Sequence, residues 1–267
     1  MLVSPGDNAF SPSGRRRAMD MQLYLLVLVG AVVAGFVQGL SGFAFGLVAM
    51  SLWAWVMDPA MAVVLCVAGG LTGQVASAIT VRRGFDLKTL APFLAGGVVG
   101  IPVGVALLPH LPVHVFKTLL GAVLIIFCPA MLFAARMPRL DVNSRLADGI
   151  AGLAGGVLGG IGGFTGAVPT LWCTLRDMDK DAQRSIIQNF NLATLAVIMA
   201  IYVIGGHVTR PMLPLLAIVI PAMLIPSLIG ARLYVGLSQQ AFRRLVLVLL
   251  TASGLALLGN GLPGYFR

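Results

Sequence analysis

Two stretches decide the reading of this chain: GFVQGLSGFAFG, from Gly35 to Gly46, and GVLGGIGGFTGA, from Gly156 to Ala167. Each interrupts a long apolar run, and each is dense in the residue that permits a helix to break or another backbone to come close. With one fixed offset, Gly35 falls on Gly156, Gly39 on Gly160, Gly42 on Gly163 and Phe43 on Phe164. Without any gap, Met57-Asp58 then falls on Met178-Asp179. Later in each half Gly104 pairs with Gly230, Phe116-Lys117 with Phe242-Arg243, and Leu119 with Leu245. Single coincidences come freely in a chain rich in Gly and Leu; an ordered series along both halves reads as a duplication.

Outward from these stretches the chain is apolar almost throughout. It is 58% hydrophobic and only 10% charged, where soluble domains carry roughly a quarter charged residues. Such a chain cannot cover a water-facing surface. Apolar segments fall near 22–57, 60–81, 89–109, 113–134, 147–175, 181–205, 211–236 and 239–260, most of them of spanning length. None alternates with period two, so helices rather than a barrel follow. The expected fold is all-α: a polytopic helical membrane bundle of two inverted repeats, each opening with a Gly-broken re-entrant or discontinuous helix. Residues 1–21 read as a polar disordered arm, 22–134 as the first membrane repeat, 135–146 as a basic cytoplasmic connector and 147–267 as the second repeat. The arm holds Arg15, Arg16 and Arg17, and Met19 and Met21 offer later translation starts.

The charge is lopsided: 18 Lys and Arg against nine acids, every one of them Asp. The basic residues sit in short loops between apolar spans, which is the positive-inside pattern and leaves nucleic acid no role. Those loops agree with one another only if the first and fifth segments dip in and return as hairpins broken at their glycines. Arg82, Arg83, Lys88, Arg136, Arg139, Arg145, Arg176, Lys180, Arg184, Arg232, Arg243 and Arg244 then share one side. Lys117, Arg210, Arg267 and the arm keep the other. Each half becomes a hairpin plus three crossings, an odd number, and this inverts one half relative to the other.

The breaks are the natural place for a site. A helix interrupted at Leu40-Ser41-Gly42-Phe43 presents N–H groups and partial positive charge at the start of its second arm, which suits an anion. Gly162, Gly163, Phe164 and Thr165 repeat the arrangement. Ser41 and Thr165 add hydroxyls, and Gln38 adds an amide. The competing reading is packing, because Gly35/Gly39, Gly42/Gly46, Gly96/Gly100/Gly104 and Gly152/Gly156/Gly160 are ridges that let helices touch. The set Gly96, Gly100, Gly104 is read as packing, and Gly42 and Gly163 as breaks. A second polar cluster opens the sixth segment. Gln188 and Asn191 share a helix face, while Asn189 points elsewhere. Interhelical bonding and solute contact remain equal alternatives for that cluster. Arg184, one turn below it, is a candidate for anion recruitment, against snorkelling at the interface. Gln74 reads as a helix–helix bond.

Several absences narrow the function. No span carries a central acid or base of the kind proton relays use. His110, His114 and His207 share no helix face, so no metal site is expected. Cys66, Cys128 and Cys173 have no CxxC spacing and read as packing residues. No GxSxG, HExxH or Walker motif is present, which leaves enzyme chemistry without a foothold and no cofactor implied.

At this point the chain resembles the TauE/SafE sulfite-exporter family of prokaryotic anion permeases. The resemblance covers residues 22–260. It rests on GFVQGLSGFAFGLVAM, on GGVLGGIGGFTGAVPTLW and on RSIIQNFN after the second motif. It implies a multi-pass permease of the plasma membrane, exporting sulfite, an organosulfonate or a related small anion, with four-plus-four helices. A proline often follows the family's glycine motif; Pro169 supplies it in the second half, whereas Val48 and Ala49 stand in the first. The substrate-binding residues expected are Gln38, Ser41, Gly42, Phe43, Gly162, Gly163, Phe164, Thr165, Gln188 and Asn191. The partners expected are a small anion and the lipid bilayer, with a homo-oligomer left open. A permease for a neutral or zwitterionic solute, or a membrane-embedded enzyme or assembly subunit, are the alternatives.

Overall fold

The computed structural model describes residues 12–80, 84–134, 144–176, 178–233 and 239–262. All described regular structure is helical. In the first half α1 (Pro12–Ser41) and α2 (Phe45–Trp53) are followed by α3 (Pro59–Thr80), α4 (Leu87–Leu107) and α5 (Val113–Phe133). In the second, α6 (Arg145–Gly162) and α7 (Ala167–Leu175) are followed by α8 (Lys180–Ile204), α9 (Leu213–Leu233) and α10 (Gln239–Gly261). Among the described residues, seven helices, all but α2, α6 and α7, are long and apolar enough to cross a membrane. Their outer faces are apolar: Leu25, Val29, Val99, Ile126, Ile225 and Leu255 are all exposed. Lipid is the solvent such a surface fits. Seven rather than eight segments qualify because α6 is short, rich in glycine and charged at Arg145 and Asp148.

The first and fifth segments are broken where the glycines predict. Gly42 and Gly163 take left-handed conformations, φ +83° and +74°, which any other residue adopts only under strain. Each ends its helix in the usual way for a left-handed cap: Gly42 N–H donates to Gln38 O and Gly163 N–H to Gly159 O, both at 2.7 Å. The second arm then folds back along the first. Trp53, at the end of α2, donates its indole N–H to Leu26 O at 3.3 Å and lies against Gly30. Trp172 near the end of α7 likewise donates to Asp148 at the start of α6, at 2.7 Å.

Glycine ridges set the close pairings. Gly96, Gly100 and Gly104 of α4 mesh with α6, where a Cβ added at any of them would press on a carbonyl of Gly149, Leu153 or Val157. Gly152, Gly156 and Gly160 return the contact from α6. The two ridges of the sequence therefore pack on one another. The counterpart of this pairing is α1 on α9, where Gly35 and Gly39 meet the backbone at Met223 and Ser227. The halves thus exchange their leading helices, since α1 packs on a helix of the second half and α6 on one of the first. The repeated Met-Asp pair does one job twice: Asp58 accepts from Ala60 N–H at 2.9 Å, and Asp179 from Asp181 and Ala182 N–H at 3.0 and 3.3 Å. Each carboxylate caps the helix behind its hairpin.

One expectation is corrected. The arm was read as disordered to residue 21, but α1 begins at Pro12. Proline fits the first helical turn, and the good helix formers that follow let the apolar run propagate backwards. Residues 1–11, and the arginines at 82, 83, 136 and 139, lie outside the described residues.

Candidate functional site

The two breaks meet inside the bundle. A Cβ at Gly46 would come within 2.5 Å of Gly163 O, and one at Gly166 within 3.1 Å of Phe43 Cβ. Only backbones bare of side chains approach this closely. Both breaks are spanned by α3 and α8. On α3, Gln74 Nε2 donates to Gly42 O at 2.7 Å, and Cys66 and Val67, roughly two turns earlier, lie against Gly163. On α8 the order is reversed: Gln188 reaches Gly42 early, and Asn191, one turn later, reaches Gly166.

The first break is open. Gln38, Gly42, Ser77, Arg184, Gln188 and Ser227 line a narrow cleft, and Thr80 stands at its mouth. Arg184 is the one cation among these lining residues. Gln188 Nε2 donates to Ser77 Oγ at 3.4 Å. Gln38, only 3% exposed, donates Nε2 to Gly70 O at 3.1 Å, and its Oε1 has no partner. The exposed Ser41 hydroxyl accepts from the amides of Phe43 and Ala44 at 3.4 and 3.2 Å. Two N–H groups read from the sequence as bare are therefore already capped at this break.

The second break is sealed. Residues 161–167 are all buried. Thr165 Oγ1 donates to Asn191 Oδ1 at 2.8 Å, and Asn191 Nδ2 has no partner. Phe164 folds over Gly162, whereas Phe43 meets Phe127 edge-on at 5.9 Å. Gln188 and Asn191 share a helix face as expected but serve different breaks. Asn189 donates to Gly84 O at 3.1 Å and, beside the bond from Ser185 to the same carbonyl, ties the loop before α4 to α8.

Three features escaped sequence reading. Gln74 makes the helix–helix bond expected of it, but its acceptor is the break itself, Gly42 O, which the sequence did not show. Ser77, Thr80 and Ser227 line the cleft, and their small hydroxyls gave no signal within apolar spans. Buried Asp148 accepts from Trp172 and from Arg176 Nη1 at 2.5 Å, which locks α7 onto α6.

The comparison with known families now adds to this geometry. The family model described as "Sulfite exporter TauE/SafE" matches residues 26–257. The chain belongs to the TauE/SafE sulfite exporter family. The match spans both broken hairpins and every crossing helix of both halves. It makes the protein a membrane protein of a transporter family. No curated protein and no solved structure matches the chain.

Proposed function

We propose that the protein is a permease that moves a small oxyanion, sulfite or a sulfonate, out across the plasma membrane of a prokaryote. One observation carries this reading: two glycine-broken helices touch inside an apolar bundle, where neutral donors and one arginine converge on them. Hydrogen-bond donors placed this deep in lipid are costly unless they serve a ligand or each other. Gln38, Ser41, Gly42, Phe43, Gln188 and Arg184 form the open half of the site; Gly162, Gly163, Phe164, Thr165 and Asn191 form the sealed half. Ser41 still has its hydroxyl proton to donate.

The reversed order of contacts along α3 and α8 supports inverted repeats, because a parallel duplication keeps the order. The fold-back of α2 on α1 and of α7 on α6 supports two re-entrant hairpins. The cleft opens beside Thr80 and Arg184, at the end expected from the sequence to carry the basic loops, and on this reading the conformation faces the cytoplasm. Because α1 is meshed with α9 and α6 with α4, the bodies that rock in alternating access are these exchanged pairs rather than the sequence halves. Export of an anion gains roughly 2.3 kcal/mol per charge per 100 mV from an inside-negative potential and requires no coupling ion.

Proteoliposomes test the reading. Electrogenic efflux of sulfite or methanesulfonate, with an apparent KM raised roughly tenfold by Arg184→Gln, is the expected result. Folded protein that carries none of a panel of small anions overturns it. A reporter fused after Arg267 tests the topology: a cytoplasmic signal rules out the inverted arrangement.

A further inference from the structure

The halves treat the turn before the second arm differently. In the first, Ser41 Oγ accepts from Phe43 and Ala44 N–H. In the second, Gly162 stands at the position of Ser41 and offers no hydroxyl, while neither helix start, at Ala44 or at Gly166, has a side-chain cap. Among the described residues, the amides of Thr165 and Gly166 donate to no carbonyl or side chain. The nearby Thr165 hydroxyl donates instead to Asn191 Oδ1. That bond leaves the Asn191 NH2 unpartnered at 1% exposure, 2.8 Å from where a Cβ on Gly166 would sit.

An unsatisfied amide donor is expensive in a buried place, and it is worse beside the positive end of a helix. The arrangement becomes favourable once an acceptor with negative charge lies between them. We propose that Asn191 Nδ2 and the amides of Thr165 and Gly166, in the turn into α7, form an occluded subsite for the oxyanion, and that Thr165 is the positioning residue that turns the Asn191 amide toward it. This rests on the permease reading and deepens it. The subsite holds an anion with neutral donors alone, so the ligand must leave most of its water behind in the cleft below. A dehydrated anion held without a fixed cation binds loosely enough to be released on the far side.

Three variants in full-length protein decide the matter, with sulfite and methanesulfonate as probes. Asn191→Asp replaces the donor by an acceptor of the same shape. It can still cap α7 but cannot donate to an anion, so flux should fall at least roughly tenfold, the scale of a lost bond to a charged group. Thr165→Val removes the hydroxyl that orients Asn191. It should raise the apparent KM several-fold with unchanged thermal stability, and Thr165→Ser should restore it. If Asn191→Asp does not fold, the Val and Ser pair decides alone. Wild-type flux in both Asn191→Asp and Thr165→Val overturns the subsite while leaving the permease standing. No flux from the unaltered protein with either probe overturns both. Loss in Thr165→Val without rescue by Ser assigns Thr165 to packing and removes its positioning role.

Discussion

The two broken helices descend from one pattern, yet they stand in different states. The first opens onto a cleft with an arginine, and the amides of its turn are satisfied by Ser41 Oγ. The second is buried, with no hydroxyl serving its turn amides, and is clamped at its far end by an ion pair. What this teaches is that two matching glycine patterns need not carry equal work. The same left-handed glycine makes both breaks, and the difference lies in residues one or two positions away. Gly162 for Ser41 and Thr165 for Ala44 convert a self-satisfied turn into one that needs a partner.

The clamps differ most in energy. In the first hairpin a neutral indole N–H meets the Leu26 carbonyl. In the second, Asp148 holds Trp172 and Arg176 with side-chain exposures of 6% and 12% across the ion pair. Asp148→Ala removes the acceptor that Trp172 and Arg176 share in a nearly buried pair, so it should cost about 3 kcal/mol of stability. Trp53→Phe, which deletes a neutral bond and part of a fully buried ring, should cost less, about 2 kcal/mol. Denaturant titration in micelles measures both. Equal losses would mean that the two clamps are equivalent and that Arg176 reaches solvent.

How much of this was legible is itself uneven between the halves. The breaks were, because a left-handed cap demands glycine and the demand is local. The ridges were also legible, although which ridge faced which was not. The Met-Asp pairs were visible as a coincidence, and the structure supplies their reason in the capping of α3 and α8. The acceptor of Gln74, the roles of Ser77 and Ser227, and the Asp148–Arg176 pair stayed hidden. Gln74 meets a carbonyl 32 residues away, and Arg176 an acid 28 residues away, distances over which periodicity carries no information. The capping of Phe43 and Ala44 by Ser41 depends on a rotamer, which no spacing reveals.

Accessibility sharpens the comparison next. With Cys66, Cys128 and Cys173 replaced, Ser77→Cys sits in the open cleft, whereas Ala167→Cys lies at the sealed break, where Ala167 is 2% exposed. A charged thiol reagent supplied from the side of the basic loops should modify the first on the order of tenfold faster or more, since the second must await local opening. Addition of sulfite should slow the reaction at Ser77→Cys. Equal rates would show that both breaks are open and would remove the distinction between them.

The smallest effect concerns Ser41 itself. Its oxygen accepts two amides in the turn into α2, so Ser41→Ala should destabilise the protein by about 1 kcal/mol, the usual loss for a side-chain cap, and Ser41→Thr should restore it. The exposed position of Ser41 makes this a clean test, because neither variant leaves a cavity. The loss has a second consequence, since Phe43 and Ala44 N–H would then resemble the amides of Thr165 and Gly166. An anion bound at the first break could take over the cap, and saturating sulfite should return part of the lost stability. A thermal shift on adding sulfite that is larger in Ser41→Ala than in the unaltered protein is the expected outcome. An identical shift in both would place the ligand away from the start of α2, leaving Ser41 as a cap alone.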